Sequence, residues 1–250
     1  MKNKIVLITG ATSGIGWATA LEFKKAGAKL ILCGRRKERL ELLDNKLGGE
    51  QKLLNFDVRE KNDVFKSFES LPENWKDIDL LINNAGNAHG LAPVQSASIE
   101  DWDSMIDGNV KGLMYVTKAV LPSMIKRKKG HIINLGSIAG KEVYPNGSVY
   151  CSSKAAVDFF TRGLRIDLNP LGIRVGAIHP GLVETEFSDV RFKGNKKRGK
   201  AVYEGIDALT AKEVASSILY MANVPDKVTI ADMVILPTRQ ANSYVNNRKK

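Results

Sequence analysis

Short runs of apolar residues alternate along the chain with longer stretches in which apolar and polar residues mix. Seven of the short runs are rich in Ile, Val and Leu and have the length of strands: residues 4–9, 28–33, 52–56, 78–83, 131–136, 173–178 and 230–235. Because these runs hold few polar residues, both faces of each strand are expected to be buried. With helices between successive strands, the pattern predicts a doubly wound parallel α/β sheet that helices cover on both faces.

The stretches between the runs carry helix signals. Residues 15–26 stop before Gly27, a residue type that commonly ends helices. Residues 36–48 repeat Leu on one face, and residues 148–168 place an apolar residue at every fourth position of one stripe. The order of elements is therefore a repeated strand and helix.

The segment 181–210 departs from this regularity. It shows neither the helix nor the strand period and is rich in Gly, Lys and Arg. A loop of this length inside a compact domain is usually a functional lid or a disordered segment. We favour a lid, because the segment follows the carboxyl end of a strand, where such sheets bind ligands. Since no repeat or linker divides the 250 residues, we expect one domain, 1–250, with this lid inside it.

The charge of the chain is strongly positive but unevenly placed. Lys and Arg number 38 against 27 Asp and Glu, a net charge of +11. Three tracts without acids, 126–129, 193–200 and 248–250, hold 12 of the basic residues. The rest of the chain is nearly neutral, so a basic face for nucleic acid is not predicted.

Cysteine and histidine content bears on compartment and metals. Cys33 and Cys151 form no disulfide framework or zinc motif, and the three histidines show no metal spacing, so no metal site is predicted. The apolar run near the N-terminus is too short for a secretion signal, and no run of about 18 apolar residues suits a membrane span. These features predict a cytoplasmic location without a membrane partner.

A glycine-rich turn follows the first predicted strand. Residues 9–16 read Thr-Gly-Ala-Thr-Ser-Gly-Ile-Gly and open a helix. Glycine permits a tight turn and close backbone approach, and the unpaired N–H groups at a helix start bind a pyrophosphate. The spacing GxxxGxG differs from the common GxGxxG fingerprint, and such a turn can also serve packing alone. The residues predicted to bind a dinucleotide here are Gly10, Thr12, Ser13, Gly14, Ile15 and Gly16.

The end of the second predicted strand indicates which dinucleotide binds. NAD enzymes typically place an acid there, but this chain has Arg35 and Arg36. A guanidinium suits a 2′-phosphate through charge-assisted, bidentate hydrogen bonds, so NADP is preferred. The alternative is that both arginines merely solvate the start of a basic helix.

A third group lies after the fifth predicted strand and on the next helix. Ser137 ends that strand, and Tyr150 and Lys154 share a helix face at a spacing of four. A nearby ammonium, together with an oxidised nicotinamide, favours the phenolate, so we expect a lowered pKa for Tyr150. The pair suits proton transfer during hydride transfer, although the YxxxK spacing alone is common on solvated helices.

With these three elements in order, the chain resembles the short-chain dehydrogenase/reductase family over essentially its full length. The matching positions are residues 9–16, Asn83-Asn84-Ala85-Gly86, Asn109, Ser137, Tyr150, Lys154 and Pro180-Gly181 with Thr185. The resemblance implies a single-domain Rossmann-like fold and an oxidoreductase that uses NADP(H).

The resemblance also implies a role for each matching residue. Tyr150 would be the general acid/base, Ser137 the partner of the reacting oxygen, and Lys154 the ligand of the nicotinamide ribose. Asn109 would hold a proton-relay water. The other implied cofactor contacts are Asp57 and Val58 at the adenine, Asn83, Ala85 and Gly86 at its ribose, and Pro180, Gly181, Val183 and Thr185 at the nicotinamide amide. Taken singly, Asn83, Asp57 and Thr185 are also ordinary capping, strand-end and turn residues.

Residues 181–195 and 135–140 carry a narrower resemblance. They look like the branch of NADP-dependent 3-hydroxy acid dehydrogenases, also described as serine or L-allo-threonine dehydrogenases and malonic semialdehyde reductases. This implies interconversion of small 3-hydroxy acids, such as L-serine, L-allo-threonine, 3-hydroxypropionate and 3-hydroxybutyrate, with 3-oxo acids. It also implies a homotetramer.

A carboxylate substrate needs a cation, and Arg191 lies among apolar neighbours in the expected lid. We hypothesise that Arg191 pairs with the substrate carboxylate. The alternative is a lid arginine bound to Glu184, Glu186 or solvent. Tyr144, Asn146 and His89 are further candidate substrate contacts, although a packed aromatic and a loop residue are the plainer interpretations of Tyr144 and His89.

Three rival functions remain open at this level. The nearest is a reductase of the same family that acts on another carbonyl, such as a 3-oxoacyl thioester, a ketose or a xenobiotic ketone. A non-catalytic NADP-binding regulator has no need of Ser137, Tyr150 and Lys154. An RNA-binding protein would require strongly salt-dependent oligonucleotide binding.

Overall fold

The computed structural model of the chain describes residues 1–249. Its centre is a seven-stranded sheet in the order β3-β2-β1-β4-β5-β6-β9, in which every neighbouring pair is parallel. The strands are β1 (Ile5–Thr9), β2 (Lys29–Gly34), β3 (Lys52–Asn55), β4 (Leu80–Asn83), β5 (Gly130–Leu135), β6 (Ile173–Pro180) and β9 (Asp232–Ile235). The predicted parallel sheet is confirmed. The strand order reverses between β1 and β4, and sheets of this kind bind ligands in the crevice at such a point.

Helices connect the strands and cover both faces of the sheet. They are α1 (Gly14–Lys25), α2 (Lys37–Lys46), α3 (Lys61–Glu69), α4 (Glu73–Lys76), α5 (Ile99–Ile106), α6 (Gly112–Arg127), α7 (Ser148–Leu168), α8 (Phe187–Arg191), α9 (Lys196–Ala201) and α10 (Ala211–Ala222). A π-helical turn, Asp107–Lys111, joins α5 to α6. Within residues 1–249, none of the helices combines the length and the apolar character that crossing a bilayer requires.

Successive side chains of the central strands enter two separate cores. Leu7 of β1 packs with Val64 of α3 and Val116 of α6 on one face of the sheet. On the other face, Ile8 packs with Phe23 of α1 among further residues of α2 and α10. Strand side chains alternate between faces, so two buried faces explain why the strands are almost continuously apolar.

The segment 181–210 contains more secondary structure than its sequence predicts. Helices α8 and α9 lie within it, and β7 (Val183–Glu184) pairs with β8 (Leu209–Thr210). The expectation of a segment without periodic structure is therefore wrong. Helices of five and six residues and strands of two are too short to produce a detectable hydrophobic period.

Candidate active site

A cleft of about 480 Å³ lies at the carboxyl ends of the strands. Its walls come from the segments that follow β1, β2, β3, β4, β5 and β6, together with side chains of α7 and α8. The cleft therefore occupies the crevice at which the strand order reverses. It brings together most of the residues that the sequence marks as candidates.

The glycine-rich turn forms one wall of the cleft and has no space for side chains. Gly10 adopts a φ of +65°, which is unfavourable for other residues. A Cβ atom on Gly16 would lie 2.3 Å from the carbonyl oxygen of Gly10 and 2.5 Å from Nδ2 of Asn84. A Cβ atom on Gly34 would lie 2.6 Å from Cγ2 of Thr12. This narrow backbone cradle at the start of α1 fits a pyrophosphate.

Asn84 holds the cradle in place, although the sequence analysis gave it no separate role. Its Nδ2 donates to the carbonyl oxygens of Thr9, at 2.8 Å, and Gly10, at 3.2 Å. The hydroxyl of Thr9 accepts from the backbone N–H groups of Asn84 and Ala85, at 3.0 and 2.9 Å. The end of β4 is thus bonded to the end of β1. The sequence signal for Asn84 is the pair of consecutive asparagines at positions 83 and 84.

Asn83 does not reach the cleft, contrary to the role that the resemblance implied. Its side chain is 2% exposed, and its Nδ2 donates to Thr117 Oγ1 and Asn134 Oδ1, both at 2.9 Å. As the last residue of β4, it points from the sheet toward α6. Ala85 and Gly86, which follow the strand, line the cleft as expected.

Arg35 and Arg36 both line the cleft but have different partners. Arg35 is 58% exposed in its side chain, and its Nη1 lies 3.3 Å from Oδ2 of Asp57. Arg36 donates to Oγ1 and the carbonyl oxygen of Thr12 and, through Nη1, to Glu186 at 2.9 Å. Arg35 therefore keeps most of its N–H groups free for a ligand, whereas Arg36 connects the glycine-rich turn to the lid.

Asp57 and Val58 lie at the end of β3, and both line the cleft. Nη2 of Arg59 lies 2.7 Å from Oδ2 of Asp57. Burial raises the pKa of Asp57, but hydrogen bonds from Arg59 and the charge of Arg35 outweigh that effect and lower it below its ordinary value. The carboxylate is ionised at neutral pH and holds the two arginines at this end of the cleft.

The predicted Ser-Tyr-Lys group lies together at the other end of the cleft. Tyr150 and Lys154 are one turn apart on α7, and both are buried. Nζ of Lys154 donates to the carbonyl oxygen of Leu135 at 2.9 Å. Oγ of Ser137 accepts from the backbone N–H of Ala139 at 3.1 Å and lies in the cleft wall with the Tyr150 phenol. The strand end and the helix together fix all three side chains.

The protein's own groups do not produce the lowering of the Tyr150 pKa that is expected from Lys154 together with an oxidised nicotinamide. Burial raises the pKa of Tyr150 above its ordinary value, and the Ser137 hydrogen bond and the Arg191 charge only partly oppose this. Burial also lowers the pKa of Lys154 to about 8. The local spacing of Tyr150 and Lys154 contains no information about how completely the lid covers them.

Asn109 lies in the π-helical turn, directly behind Gly86. Its Oδ1 accepts from the backbone N–H of Asn87 at 2.7 Å, and its Nδ2 donates to the Asn87 carbonyl at 2.8 Å and to Ser153 Oγ at 3.0 Å. A Cβ atom on Gly86 would lie 3.1 Å from Oδ1 of Asn109 and 3.3 Å from Nζ of Lys154. The amide thus fixes the cleft wall beside Lys154. Isolated π-helical turns are frequent at functional sites.

The segment 181–210 begins at the end of the cleft where the sequence predicts the nicotinamide. Pro180, Gly181, Val183 and Thr185 all line the cleft. Thr185 Oγ1 accepts from the backbone N–H of Phe187 at 3.2 Å, at the start of α8. The ring of Phe187 lies edge-on to that of Tyr150, with 5.7 Å between centroids. Helix α8 therefore covers the Tyr150 phenol.

Arg191 at the end of α8 lies beside the same phenol. Its Nε donates to the Gly90 carbonyl at 3.0 Å, and its guanidinium carbon is 5.4 Å from the Tyr144 ring centroid and 5.7 Å from that of Tyr150. The alternative pairing with Glu184 or Glu186 is thus wrong. Glu186 turns instead toward Arg36 and Arg39.

A second cavity of about 170 Å³ shares Tyr150 with the cleft and is also lined by Arg191. His89 and Asn146 line it, as their candidacy for substrate contact requires. Within residues 1–249, Tyr144 lines neither cavity and packs instead against Tyr150 and Cys151, because its ring occupies the space that Gly147 leaves free. Asn146 and His89 remain candidate substrate contacts. The ring of Tyr144 instead packs against the Arg191 guanidinium.

A pyrophosphate cradle, an arginine beside it and a buried Ser-Tyr-Lys group in one cleft define a nicotinamide-dependent oxidoreductase. Residues 4–196 match the family model described as short chain dehydrogenase. The NADP-dependent 3-hydroxy acid dehydrogenase YdfG of Salmonella typhi is 46% identical over 238 residues, which are 95% of this chain and 96% of that protein. The chain belongs to the short chain dehydrogenase family.

Two further comparisons extend over almost the whole chain. The serine 3-dehydrogenase of Agrobacterium fabrum is 42% identical over 236 residues, 94% of each protein. Among solved structures, the closed form of a serine dehydrogenase complexed with NADP+ superposes with a TM-score of 0.94 and 43% identity. That comparison covers 98% of this chain and 100% of the other.

Proposed function

We propose that the chain is an NADP-dependent oxidoreductase that interconverts small 3-hydroxy acids and 3-oxo acids. The observation that carries the substrate class is the Arg191 guanidinium, which lines the second cavity and whose carbon lies 5.7 Å from the centre of the Tyr150 ring. A cation at that distance suits a carboxylate that is two carbons from the reacting oxygen. The candidate substrates are L-serine, L-allo-threonine, 3-hydroxypropionate, 3-hydroxybutyrate and malonic semialdehyde.

Each member of the Ser-Tyr-Lys group has one role in the proposal. Tyr150 exchanges a proton with the substrate oxygen, and Ser137 donates a hydrogen bond to the same oxygen. Lys154, with N–H groups left over beyond its bond to Leu135, binds the nicotinamide ribose. When bound, the cofactor supplies or accepts the hydride. Asn109 fixes the cleft wall beside Lys154, and the relay water binds at that wall.

NADP is the cofactor that the cleft fits. The backbone cradle receives the pyrophosphate, and Arg35, whose N–H groups are mostly free, receives the 2′-phosphate. The names of the relatives confirm the cofactor predicted from Arg35 and Arg36. In this proposal Arg35 binds the phosphate, because N–H groups of Arg36 already donate to Thr12 and Glu186.

Replacing Glu186 by Gln is expected to lower the KM for NADP a few-fold and to leave the KM for NAD unchanged. The Glu186 carboxylate takes up N–H groups of Arg36 and Arg39 and repels a phosphate beside them. The effect stays small because all three side chains are partly exposed. Initial rates with both cofactors measure it. Glu184→Gln in exposed β7 is the control, and an equal change with NADP and NAD would contradict the assignment.

The substrate class is tested by following the absorbance of the reduced nicotinamide. NADP and NAD are compared with L-serine, L-allo-threonine and 3-hydroxybutyrate, and malonic semialdehyde with NADPH tests the reverse direction. We expect turnover of at least one acid with NADP and little with NAD. If none of the four compounds is turned over and NADPH still binds, the substrate would instead be another carbonyl, such as a 3-oxoacyl thioester, a ketose or a xenobiotic ketone.

Replacing Arg191 by Ala is expected to raise the KM for a 3-hydroxy acid about 10-fold to 100-fold, the contribution of a charge-assisted hydrogen bond. The KM for the methyl ester of the same acid should change little, because the ester has no charge to pair with. Arg198→Ala is the matched control, since Arg198 also lies in the lid but stacks on Phe192. Equal effects on acid and ester would show that Arg191 acts by packing alone.

The remaining parts of the proposal concern the whole protein. We treat residues 1–250 as one NADP-binding domain with 181–210 as its lid, and the bonds from Arg191 to Gly90 and from Lys193 to Asp101 support a closing role.

Phe159 and Ile166 of α7 are 69% and 75% exposed, which supports a homotetramer. Two buried, free cysteines, Cys33 and Cys151, suit the reducing cytoplasm.

A further inference from the structure

A charged cluster lies immediately behind Ser137, outside the cleft. It consists of His179 on β6, Asp158 on α7, Asp232 on β9 and Lys141, and we call it the His179 cluster. His179 is 0% exposed. Its Nδ1 lies 3.3 Å from the carbonyl oxygen of Ser137, and its Nε2 lies 3.2 Å from Oδ1 of Asp232 and 3.7 Å from Oδ1 of Asp158.

The two carboxylates of the cluster are matched by two cations. Nζ of Lys141 lies 2.6 Å from Oδ2 of Asp232 and 3.4 Å from Oδ2 of Asp158. Nη2 of Arg162, one turn along α7, lies 2.8 Å from Oδ2 of Asp158. Although Asp158, His179 and Asp232 have the spacing of metal ligands, the Lys141 ammonium already bridges the carboxylates. The cluster is therefore an ion-pair network that surrounds the imidazole.

The hydrogen-bond partners of His179 fix the role of each ring nitrogen. A carbonyl oxygen only accepts, so Nδ1 carries the proton that is donated to Ser137. Nε2 lies against the Asp232 carboxylate without a hydrogen bond, so contact alone restrains the ring on that side. Burial and the Lys141 charge lower the pKa of His179, while Asp232 and Asp158 oppose that shift. The bond from Nδ1 to Ser137 is present whether or not Nε2 is protonated.

The imidazole is packed directly against the backbone that carries Ser137. A Cβ atom on Gly136 would lie 2.3 Å from Nδ1 of His179, so only glycine fits between strand and ring. On α7, Asp158 follows Lys154 and Tyr150 at successive spacings of four, on the same helix face. The cluster therefore connects the strand end at Ser137 to the helix that carries Tyr150.

We propose that His179 is a positioning residue that fixes the backbone of Ser137, and through it the Ser137 hydroxyl relative to the Tyr150 phenol. The inference rests on the proposed roles of Ser137 and Tyr150. His179 lines neither the cleft nor the second cavity. It acts through one hydrogen bond, from Nδ1 to the Ser137 carbonyl, and its ring is held for that bond by packing against Gly136 and Asp232.

Two substitutions of His179 test the contributions of Nδ1 and Nε2 separately. In His179→Asn the side-chain amide nitrogen can occupy the place of Nδ1 and keep the bond to Ser137. In His179→Gln the longer side chain places its amide near Nε2, toward Asp232, and leaves the Ser137 carbonyl without a donor. Both variants remain neutral and polar, so the burial of the charged cluster is disturbed to a similar degree.

We expect His179→Gln to lower kcat about 10-fold to 100-fold, which corresponds to the loss of alignment at one catalytic hydrogen bond. The KM for NADPH should stay unchanged, and His179→Asn should recover kcat to within a few-fold of the wild type. Rates are measured with whichever carbonyl substrate the wild type reduces, so failure of the 3-hydroxy acid proposal is detected separately. NADPH fluorescence titration and the thermal midpoint Tm report folding.

Equal loss of kcat in both variants, parallel to the loss in Tm, would overturn the proposal, because the residue would then act through stability alone. Unchanged kcat in His179→Gln would overturn it as well. If His179→Gln yields no soluble protein, Asp232→Ala replaces it, since it removes the side chain that packs against Nε2 at the 40% exposed end of the cluster. We then expect a lower kcat with unchanged NADPH affinity, and an unchanged kcat would refute the positioning role.

Discussion

Replacing Tyr150 by Phe is expected to lower kcat about 1000-fold in both directions, which lies within the range for removal of a general acid/base. The substitution removes only the phenolic oxygen. The ring keeps its edge contact with Phe187 and its position beside Arg191, so the fold and the cleft should be preserved. NADPH affinity, measured by fluorescence titration, should change less than threefold by this reasoning.

The pH dependence of the wild type follows from the same residue. Burial raises the pKa of Tyr150, so the phenol holds its proton at neutral pH, the form that protonates a carbonyl oxygen. Reduction should therefore be fast at neutral pH and slow down as the phenol ionises, whereas oxidation needs the phenolate and should speed up over the same range. Lys154, whose pKa burial lowers to about 8, titrates at lower pH than the phenol, so the profile from neutral to alkaline pH reports both groups.

Two results would contradict this assignment. The first is a Tyr150→Phe enzyme that keeps more than about a tenth of the wild-type kcat, since a general acid/base contributes more than that. The second is a wild-type oxidation rate that does not change as the pH rises from neutral to alkaline. Cys151→Ser is the matched control, because Cys151 is the next residue on the same helix and is also buried.

The sheet could be predicted from the sequence because its signal is local. The central strands are buried on both faces, so every buried position adds to one short apolar run, as in Ile5 to Ile8. The glycine-rich turn and the Tyr150 to Lys154 spacing are equally local. By contrast, α8 and α9 in the lid are too short for a period and form against the rest of the fold.

The parts of the site that could not be predicted depend on contacts between distant residues. The ion pair between Arg39 and Glu186 joins positions 147 residues apart, and nothing near either residue indicates the other. Asn83 and Asn84 are adjacent and identical, yet only the end of the strand decides which of them faces the cleft. The pKa of Tyr150 depends on its coverage by Phe187, which the tyrosine and lysine spacing does not contain.

Replacing Gly16 by Ala is expected to destabilise the protein by about 1–3 kcal/mol, the usual cost of extra volume in a packed site. The new methyl group would lie 2.3 Å from the Gly10 carbonyl oxygen and 2.5 Å from the Asn84 amide, and both are held by other bonds. Because these groups form the pyrophosphate cradle, the KM for NADP should rise more than tenfold at the same time. Urea unfolding and cofactor titration measure the two effects.

Gly163→Ala is the matched control for this substitution. Gly163 also lies inside a helix, α7, but a Cβ atom there would meet no heavy atom within 4 Å. Since alanine favours a helix over glycine by about 1 kcal/mol, the control should be stabilised and should bind NADP normally. Opposite shifts in the urea midpoint would show that crowding of the cradle, and not helix propensity, sets the requirement for glycine at position 16. Stabilisation of both variants would instead mean that the turn relaxes around the methyl group, and the cradle would then be adaptable.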